Sequence, residues 1–317
     1  MIDGVLMLGF GGPTPGCCQR RAQCPRNPGC EAECFVAGIL GDNPLRGARV
    51  QEVVAHYHAL GGFSAYNALS LGQSAALGRT LQARGRPLPV AFGFRHWTPW
   101  AVTALAQLHE RGCREVALVV MAPHQSTVSW DWYLKLAAEA SEELGERSPV
   151  LAAVVAPFWR EPGFIGAIVE RLQEATSGWS AERVDEAALL FTAHAIPRPV
   201  EQTSPYRAQV LETAALAATA FGHPAHVIAF QSQPSDSGIP WSAPDIPGVL
   251  AALAAQGVRD VVVCACGFLV DHTEVLYDLD IEARDTARRL GMTYTRARSV
   301  HEHPAFIGML AERILAL

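Results

Sequence analysis

The sequence has no excess of positive charge and no long uninterrupted apolar segment. Its 317 residues carry a formal net charge of −6, so it offers no basic stripe to replace the counterions of a nucleic acid. No uncharged apolar run approaches the roughly 18 residues that span a bilayer. Residues 1–7 also lack the basic and long apolar regions of a signal peptide. We therefore expect a cytoplasmic protein without nucleic-acid partners, although an apolar substrate would favour peripheral membrane contact.

The sequence also lacks a Gly-x-Gly-x-x-Gly after its first apolar run, which disfavours dinucleotide binding. Seven short apolar runs, from Gly4–Phe10 to Asp260–Cys266, alternate with amphipathic stretches. This alternation predicts an α/β protein of two similar Rossmann-like halves, each a parallel sheet flanked by helices. The predicted halves are residues 1–160, with a cysteine-rich insertion at 14–45, and residues 161–317. Ligands are expected beyond the carboxyl ends of the strands, in a cleft between the halves.

One predicted strand ends at a histidine, His194, which stands between Ala193 and Ala195 and shortly before Pro197. Partial desolvation at such a position favours a neutral imidazole that accepts a proton near pH 7. The alternative is a core histidine that bonds to a backbone carbonyl. His194 is therefore a candidate catalytic base.

A second candidate segment is an acidic helix that begins near Asp271. Asp271 is the expected N-cap, with Glu274 three residues later as in a capping box. Glu274, Asp278 and Glu282 recur every four residues and would share one helix face. Such a row suits the passage of metal ions or protons. The alternative is a solvated acidic face, which the absence of a basic residue before Arg284 weakens.

These segments, together with a loop that leads from Gln231-Ser232 to Pro240-Trp241, resemble the motifs of the ferrochelatase family, in family order. The most specific matches are Thr192-Ala193-His194-Ala195-Ile196-Pro197 and Gly267-Phe268-Leu269-Val270-Asp271-His272-Thr273-Glu274. Weaker ones are Gly9-Phe10-Gly11-Gly12-Pro13, Gly61-Gly62-Phe63-Ser64, Gly93-Phe94-Arg95-His96, Pro123-His124-Gln125-Ser126 and Ser204-Pro205-Tyr206. The resemblance extends over nearly the whole chain, except roughly residues 14–45.

The resemblance implies a lyase of haem biosynthesis that inserts Fe²⁺, as a substrate, into a porphyrin and releases two protons. His194 would take a pyrrole proton or bind the incoming metal, and Glu274 would be its acidic partner across the porphyrin. The residues implied along the metal path are His194, Glu274, His272, Asp278 and Glu282. Those implied to contact the porphyrin are Phe10, Arg95, Gln231, Ser232 and Trp241.

Some residues depart from the family pattern. Phe230 replaces the usual Trp before Gln-Ser, and the loop after Gln233 is longer than usual. Phe10 stands where relatives that use coproporphyrin tend to carry Tyr, which favours protoporphyrin IX as the substrate. Two other functions stay open: a porphyrin or haem carrier without turnover, and a chelatase for another divalent metal such as cobalt or nickel.

Five of the eight cysteines lie within 18 residues of the poorly matched stretch. They are Cys17, Cys18, Cys24, Cys30 and Cys34. Four thiolates suffice for zinc or a [2Fe–2S] cluster, although this spacing is not a standard pattern. Many bacterial ferrochelatases bind such a cluster through cysteines placed elsewhere. The resemblance therefore implies that a cluster is compatible with the family, but it does not identify these cysteines as its ligands. Reduced thiols or a disulfide are the alternatives.

Overall fold

A computed structural model of the chain describes residues 1–16, 30–40, 47–234 and 238–317. The chain forms two compact units. The first comprises Met1–Met121, Trp132–Ala156 and Leu310–Leu317, and the second comprises Ala122–Asp131 and Pro157–Met309. Each unit has one parallel sheet.

The sheet of the first unit contains four parallel strands in the order β2-β1-β3-β4. The strands are β1 (Gly4–Gly9), β2 (Val90–Phe94), β3 (Glu115–Val120) and β4 (Val150–Val154). All six residues of β1 are buried, as expected of a continuously apolar strand covered on both faces. β4 alternates between exposed and half-buried residues, as expected of an edge strand.

The sheet of the second unit is also parallel, with the order β6-β5-β7-β8. Its strands are β5 (Ala188–His194), β6 (Val227–Gln231), β7 (Asp260–Cys264) and β8 (Thr293–Ala297). The first strand of each unit thus lies between the second and third, and the fourth is at an edge. This repeated order confirms the prediction of two similar α/β halves. The eighth strand was not predicted, because Thr293-Tyr294-Thr295-Arg296 lacks an apolar run.

Helices connect the strands, as parallel pairing requires. In chain order they are α1 (Glu31–Leu40), α2 (Gly47–Ala59), α3 (Tyr66–Ala83), α4 (Ala101–Glu110), α5 (Trp130–Leu144), α6 (Pro162–Ala175), α7 (Ala181–Glu186), α8 (Arg198–Thr203), α9 (Tyr206–Phe221), α10 (Ile246–Ala255), α11 (Thr273–Tyr277), α12 (Arg284–Arg289) and α13 (Pro304–Leu315). A 3₁₀ turn, Gly145–Arg147, follows α5, and a π-helical segment, Asp278–Ala283, joins α11 to α12. No helix among the described residues has the length and apolar character needed to cross a membrane.

Candidate functional site

The carboxyl edge of the second sheet brings three predicted segments together. His194 is the last residue of β5 and pairs in register with Gln231, the last residue of β6. After β7 the chain turns back toward β5, where the amide of Gly267 donates to the carbonyl of Thr192 at 3.1 Å. A side chain at position 267 would meet Ala193 at 2.7 Å, so the close approach requires glycine. The turn therefore starts the acidic helix beside His194.

Hydrogen bonding fixes the tautomer of His194. Its Nδ1 lies 2.5 Å from the carbonyl oxygen of Ala195. Because a carbonyl can only accept, Nδ1 carries a proton, and in the neutral ring Nε2 presents a lone pair. Nε2 lies 3.4 Å from Oε2 of Glu274. Two lone-pair atoms at this separation attract a proton or a cation between them. Both side chains are about one-third exposed, so a ligand can reach them.

Tyr206 fixes the backbone of His194 through a hydrogen bond. The phenol hydroxyl donates to the carbonyl oxygen of His194 at 2.8 Å. Tyr206 is buried, and burial raises the pKa of its hydroxyl far above the usual range, so it stays a donor. Its place in the Ser-Pro-Tyr motif was the only sequence signal for it, and its contact with His194 was not predicted.

His272, rather than Asp271, is the N-cap of α11. Its Nδ1 accepts from the amide of Glu274 at 3.2 Å, so that nitrogen bears no proton. Burial lowers the pKa of His272, which favours the neutral ring. Phe268 packs its ring 5.1 Å from His272 and 6.4 Å from His194, measured between centroids. This apolar ring was not among the predicted site residues.

The prediction that Asp271 caps the helix was wrong because that carboxylate is used elsewhere. It pairs with Arg296 at 2.9 Å and with Nε2 of His301 at 3.0 Å, and accepts from the amide of Ser299. These partners hold the pKa of Asp271 well below its usual range although burial acts in the opposite direction. Asp271 therefore anchors the turn before the helix.

The acidic row does not lie on one regular α-helix. α11 ends at Tyr277, and Asp278 begins the π-helical segment that contains Glu282. A π-helical turn is wider than an α-helical turn, and such turns are frequent at functional sites. Glu274 and Glu282 both raise the pKa of Asp278 through their negative charge, although burial is the largest cause. The three carboxylates thus interact as a row despite the irregular helix.

Asp278 is the middle carboxylate of this row. Burial raises its pKa to about 7, against a smaller opposing effect of the Ser232 hydroxyl that donates to it at 2.5 Å. The amide of Gln231 donates to the same oxygen at 3.2 Å. Ser232 has a φ of 62°, a strained value for a residue other than glycine. The end of β6 is therefore bent so that its side chains meet the acidic row.

Trp241 is placed by the loop that follows β6. Its backbone pairs with Pro197 in an isolated antiparallel bridge, three residues after His194. The next residue, Ser242, is fully buried, and its hydroxyl bonds to the amide and carbonyl of Ile196. The structure thus brings Gln231, Ser232 and Trp241 to the segment around His194. What they contact in a substrate stays a prediction.

Phe10 and Arg95 lie in the first unit, at the carboxyl ends of β1 and β2. The amide of Arg95 donates to the carbonyl of Gly9, and that of His96 to the carbonyl of Phe10. The ring of Phe10 lies 4.6 Å from that of His96. The guanidinium of Arg95 lies 4.5 Å from the ring centroid of Trp132, and burial lowers its pKa. Both residues are therefore at the sheet edge where ligands are expected.

Two of the five clustered cysteines fall on described residues. Cys30 directly precedes α1, and its carbonyl accepts from the amide of Cys34 one turn later. Cys17, Cys18 and Cys24 lie outside the described residues. Within the described part of the chain, no group of three or more potential ligands is close enough to hold a metal ion. A cluster or zinc bound by the cysteines therefore stays a prediction.

Comparison with known proteins finds a family model and relatives that match most of the chain. The family model described as Ferrochelatase matches residues 32–316. The coproporphyrin III ferrochelatase of Propionibacterium freudenreichii is 35% identical over 325 residues, which cover 99% of this chain and 87% of that protein. The ferrochelatase of Deinococcus radiodurans is 31% identical over 313 residues, covering 98% and 94%. That of Thermus thermophilus is 35% identical over 285 residues, covering 84% and 88%.

Solved structures share the fold at much lower identity. SirB from Bacillus subtilis with Fe³⁺ has a TM-score of 0.55 and 13% identity, covering 76% of this chain and 86% of its own. CbiX has a TM-score of 0.52 and 15% identity, covering 99% and 98%. These likenesses confirm the chelatase-type α/β fold.

Proposed function

The chain belongs to the ferrochelatase family of metal-inserting lyases, and from this premise we propose that it inserts ferrous iron into coproporphyrin III. The observation that carries the proposal is the 3.4 Å separation between Nε2 of His194 and Oε2 of Glu274 at the start of the acidic row. A free porphyrin holds two N–H protons, which must leave while its four nitrogens bond to the metal. The reaction therefore needs a base and an exit for protons.

His194 supplies the base. Since Nδ1 donates to the carbonyl of Ala195, Nε2 is free to take a pyrrole proton. The resulting imidazolium is stabilised by the carboxylate of Glu274 beside it. Asp278, whose pKa is raised to about 7, can accept and release a proton near neutral pH, which suits it to the next place on the exit. Glu282 continues the acidic row beyond it.

The same groups suit the delivery of iron. Imidazole and carboxylate oxygen atoms bind Fe²⁺ without the very high affinity of a thiolate cage, so the metal can pass to the porphyrin. His272 adds a neutral ring next to Glu274, with the pKa lowered by burial. We propose that His194, Glu274, His272, Asp278 and Glu282 meet the metal or the protons on their way. Their donor types do not by themselves select iron over cobalt or nickel.

Two observations bear on the choice of porphyrin, and they favour different substrates. Relatives named coproporphyrin III ferrochelatase match almost the whole chain, among them those of Propionibacterium freudenreichii and Nocardia farcinica. Phe10, where a Tyr is usual in coproporphyrin-using relatives, favours protoporphyrin IX instead. We give more weight to similarity over the full length than to one position, and we keep protoporphyrin IX as the second candidate.

Anaerobic metallation with Fe²⁺ tests the proposal. Coproporphyrin III and protoporphyrin IX are supplied in parallel at equal concentrations, and the metallated product is followed by its absorbance. We expect a higher kcat/KM for coproporphyrin III. A higher value for protoporphyrin IX would select the second candidate. Tight porphyrin binding without turnover would replace the enzyme by a carrier, and faster turnover with Co²⁺ or Ni²⁺ than with Fe²⁺ would change the metal.

A further inference from the structure

Two cations share a single indole ring at the carboxyl edge of the first sheet. The guanidinium carbon of Arg95 lies 4.5 Å from the ring centroid of Trp132, and Nζ of Lys135 lies 4.8 Å from it. Trp132 and Lys135 are three residues apart on the first turns of α5 and so lie on one side of that helix. The indole itself is 40% exposed, which is unusual for so large an apolar side chain.

The charges of this cluster are poorly balanced. Among the residues that the structure describes, no carboxylate pairs with Arg95. Burial lowers the pKa of its guanidinium. Lys135 pairs with Glu139 at 3.5 Å, but both side chains are more than half exposed, so this pair is weak. Lys135 is also the only lysine in the chain. An exposed indole with two cations against it offers an anion a positive site next to an apolar surface.

The position of the cluster indicates which anion it would take. Arg95 follows β2 directly, and its amide bonds to the last residue of β1, so the cluster lies where parallel sheets bind ligands. Phe10, at the end of β1, adds a second aromatic surface at the same edge. A flat apolar ring with carboxylates at its rim fits this combination. The propionates of a porphyrin have this arrangement.

We propose that Arg95, Trp132 and Lys135 form the binding site for a propionate group of the porphyrin, with Lys135 and Trp132 as determinants of substrate choice. The inference rests on the proposed porphyrin substrate. The guanidinium and the ammonium bind the carboxylate, and the indole packs against the apolar rim from which the propionate extends. Coproporphyrin III carries a propionate on each of its four pyrrole rings and protoporphyrin IX on only two of them, so coproporphyrin III can place a carboxylate at this site in more orientations of the ring.

Equilibrium binding of metal-free porphyrin, followed by its fluorescence, tests the site without requiring turnover. Lys135→Gln should raise the Kd for coproporphyrin III about three- to five-fold, the range of an exposed ion pair, and the increase should shrink at high salt. Lys135→Arg keeps the charge and should restore the affinity. Arg111→Gln is the matched control, because Arg111 is exposed and precedes β3 at the opposite edge of the same sheet. It should leave the Kd unchanged.

Trp132→Ala should raise the Kd for both porphyrins, since it removes the apolar surface, whereas Lys135→Gln should affect coproporphyrin III more than protoporphyrin IX. A water-soluble carbodiimide gives direct contact information, because it joins a carboxylate to an amine as an amide. With bound coproporphyrin III, peptide mass spectrometry should find this porphyrin on Lys135, and an excess of protoporphyrin IX should reduce the yield of the coproporphyrin adduct.

The outcomes separate the two proposals. Normal porphyrin binding by wild type, with an unchanged Kd in Lys135→Gln and Trp132→Ala and no adduct on Lys135, would overturn the propionate site and leave the proposed function intact. A wild-type protein that binds neither porphyrin would overturn both.

Discussion

Arg296 donates two parallel hydrogen bonds to Asp280, from Nε to Oδ1 and from Nη2 to Oδ2, each 2.8 Å long. The same guanidinium reaches Asp271 at 2.9 Å and is almost completely buried. Asp271 lies before α11, and Asp280 lies inside the π-helical segment. One side chain on the edge strand β8 therefore connects the turn before α11, which carries Glu274, to the π-helical segment after it, which carries Asp278.

This geometry predicts that Arg296→Gln destabilises the protein by about 3 kcal/mol, because it removes the buried cation that the two carboxylates share. Urea unfolding measures the loss. Arg284→Gln is the matched control, since Arg284 pairs with the same Asp280 at 3.0 Å but is 54% exposed. That change should cost less than about 1 kcal/mol. Similar losses in the two variants would contradict the bridging role of Arg296.

His194→Ala should abolish iron insertion while porphyrin binding survives. Removing a general base typically lowers the rate about 10²- to 10⁴-fold, and here the same change also leaves Glu274 without its partner. Stopped-flow metallation gives the rate and porphyrin fluorescence gives the affinity. The control is His226→Ala, because His226 bonds locally to the carbonyl of Pro224 on the exposed segment before β6. Turnover of His194→Ala within a few-fold of wild type would remove this residue from the mechanism.

Glu274→Gln should impair insertion more than Glu282→Gln does. Glu274 faces Nε2 of His194, whereas Glu282 stands eight residues further along, within the π-helical segment. Rates measured against Fe²⁺ concentration separate an effect on metal uptake, seen as a higher KM, from one on proton transfer, seen as a lower kcat. Equal and mild effects would mean that the acidic row is an ordinary solvated face.

Much of this arrangement followed from the sequence, and the exceptions have physical reasons. The apolar runs of β1 and β7 and the periodicity of α4 are strong signals, since a buried strand or helix face requires them. β8 carries no such signal, because it is an edge strand whose Arg296 serves an ion pair. Pairing across distant segments is not visible in a linear pattern.

The same limit applies to the candidate site. His194 and Glu274 were identified by their local motifs, and the structure places them side by side. The cap at Asp271 was predicted wrongly, because an N-cap pattern does not reveal that Arg296 and His301 compete for the carboxylate. Trp132 and Lys135 were missed because only the fold brings Arg95 to them. Short motifs thus identify the chemistry, and tertiary contacts decide which side chains are free for it.

The burial of His124 leads to a prediction of how the free energy of unfolding depends on pH. It is fully buried, and burial lowers its pKa to about 3. Thr213 donates its hydroxyl to the carbonyl of Trp159, so its oxygen accepts from Nε2–H of His124 at 2.9 Å. Below pH 6.5 the unfolded chain binds a proton at this histidine and the folded chain does not. The free energy of unfolding should therefore decrease as the pH falls from about 6.5 toward 3, by up to about 1.4 kcal/mol per unit.

Urea unfolding between pH 7 and pH 5 checks this dependence. His124→Gln keeps a donor for Thr213 but cannot titrate, so its stability should decrease less steeply than that of wild type over the same interval. Other groups titrate equally in both proteins, and the difference between the two slopes isolates His124. Parallel slopes would mean that the buried imidazole takes up its proton without unfolding.

The last prediction concerns Cys17, Cys18, Cys24, Cys30 and Cys34. If four of them bind a cluster or zinc, protein purified without oxygen should contain stoichiometric iron with acid-labile sulfide, or zinc. Cys30→Ser combined with Cys34→Ser should release the metal and expose residues 14–45 to proteolysis, because metal binding contributes folding free energy. Cys113→Ser is the control, since this buried thiol lies next to Gly4 at the first sheet. The Cys113→Ser variant should contain as much metal as the wild-type protein. Metal-free protein with full activity and the same resistance to protease would leave the five thiols without a metal-binding role.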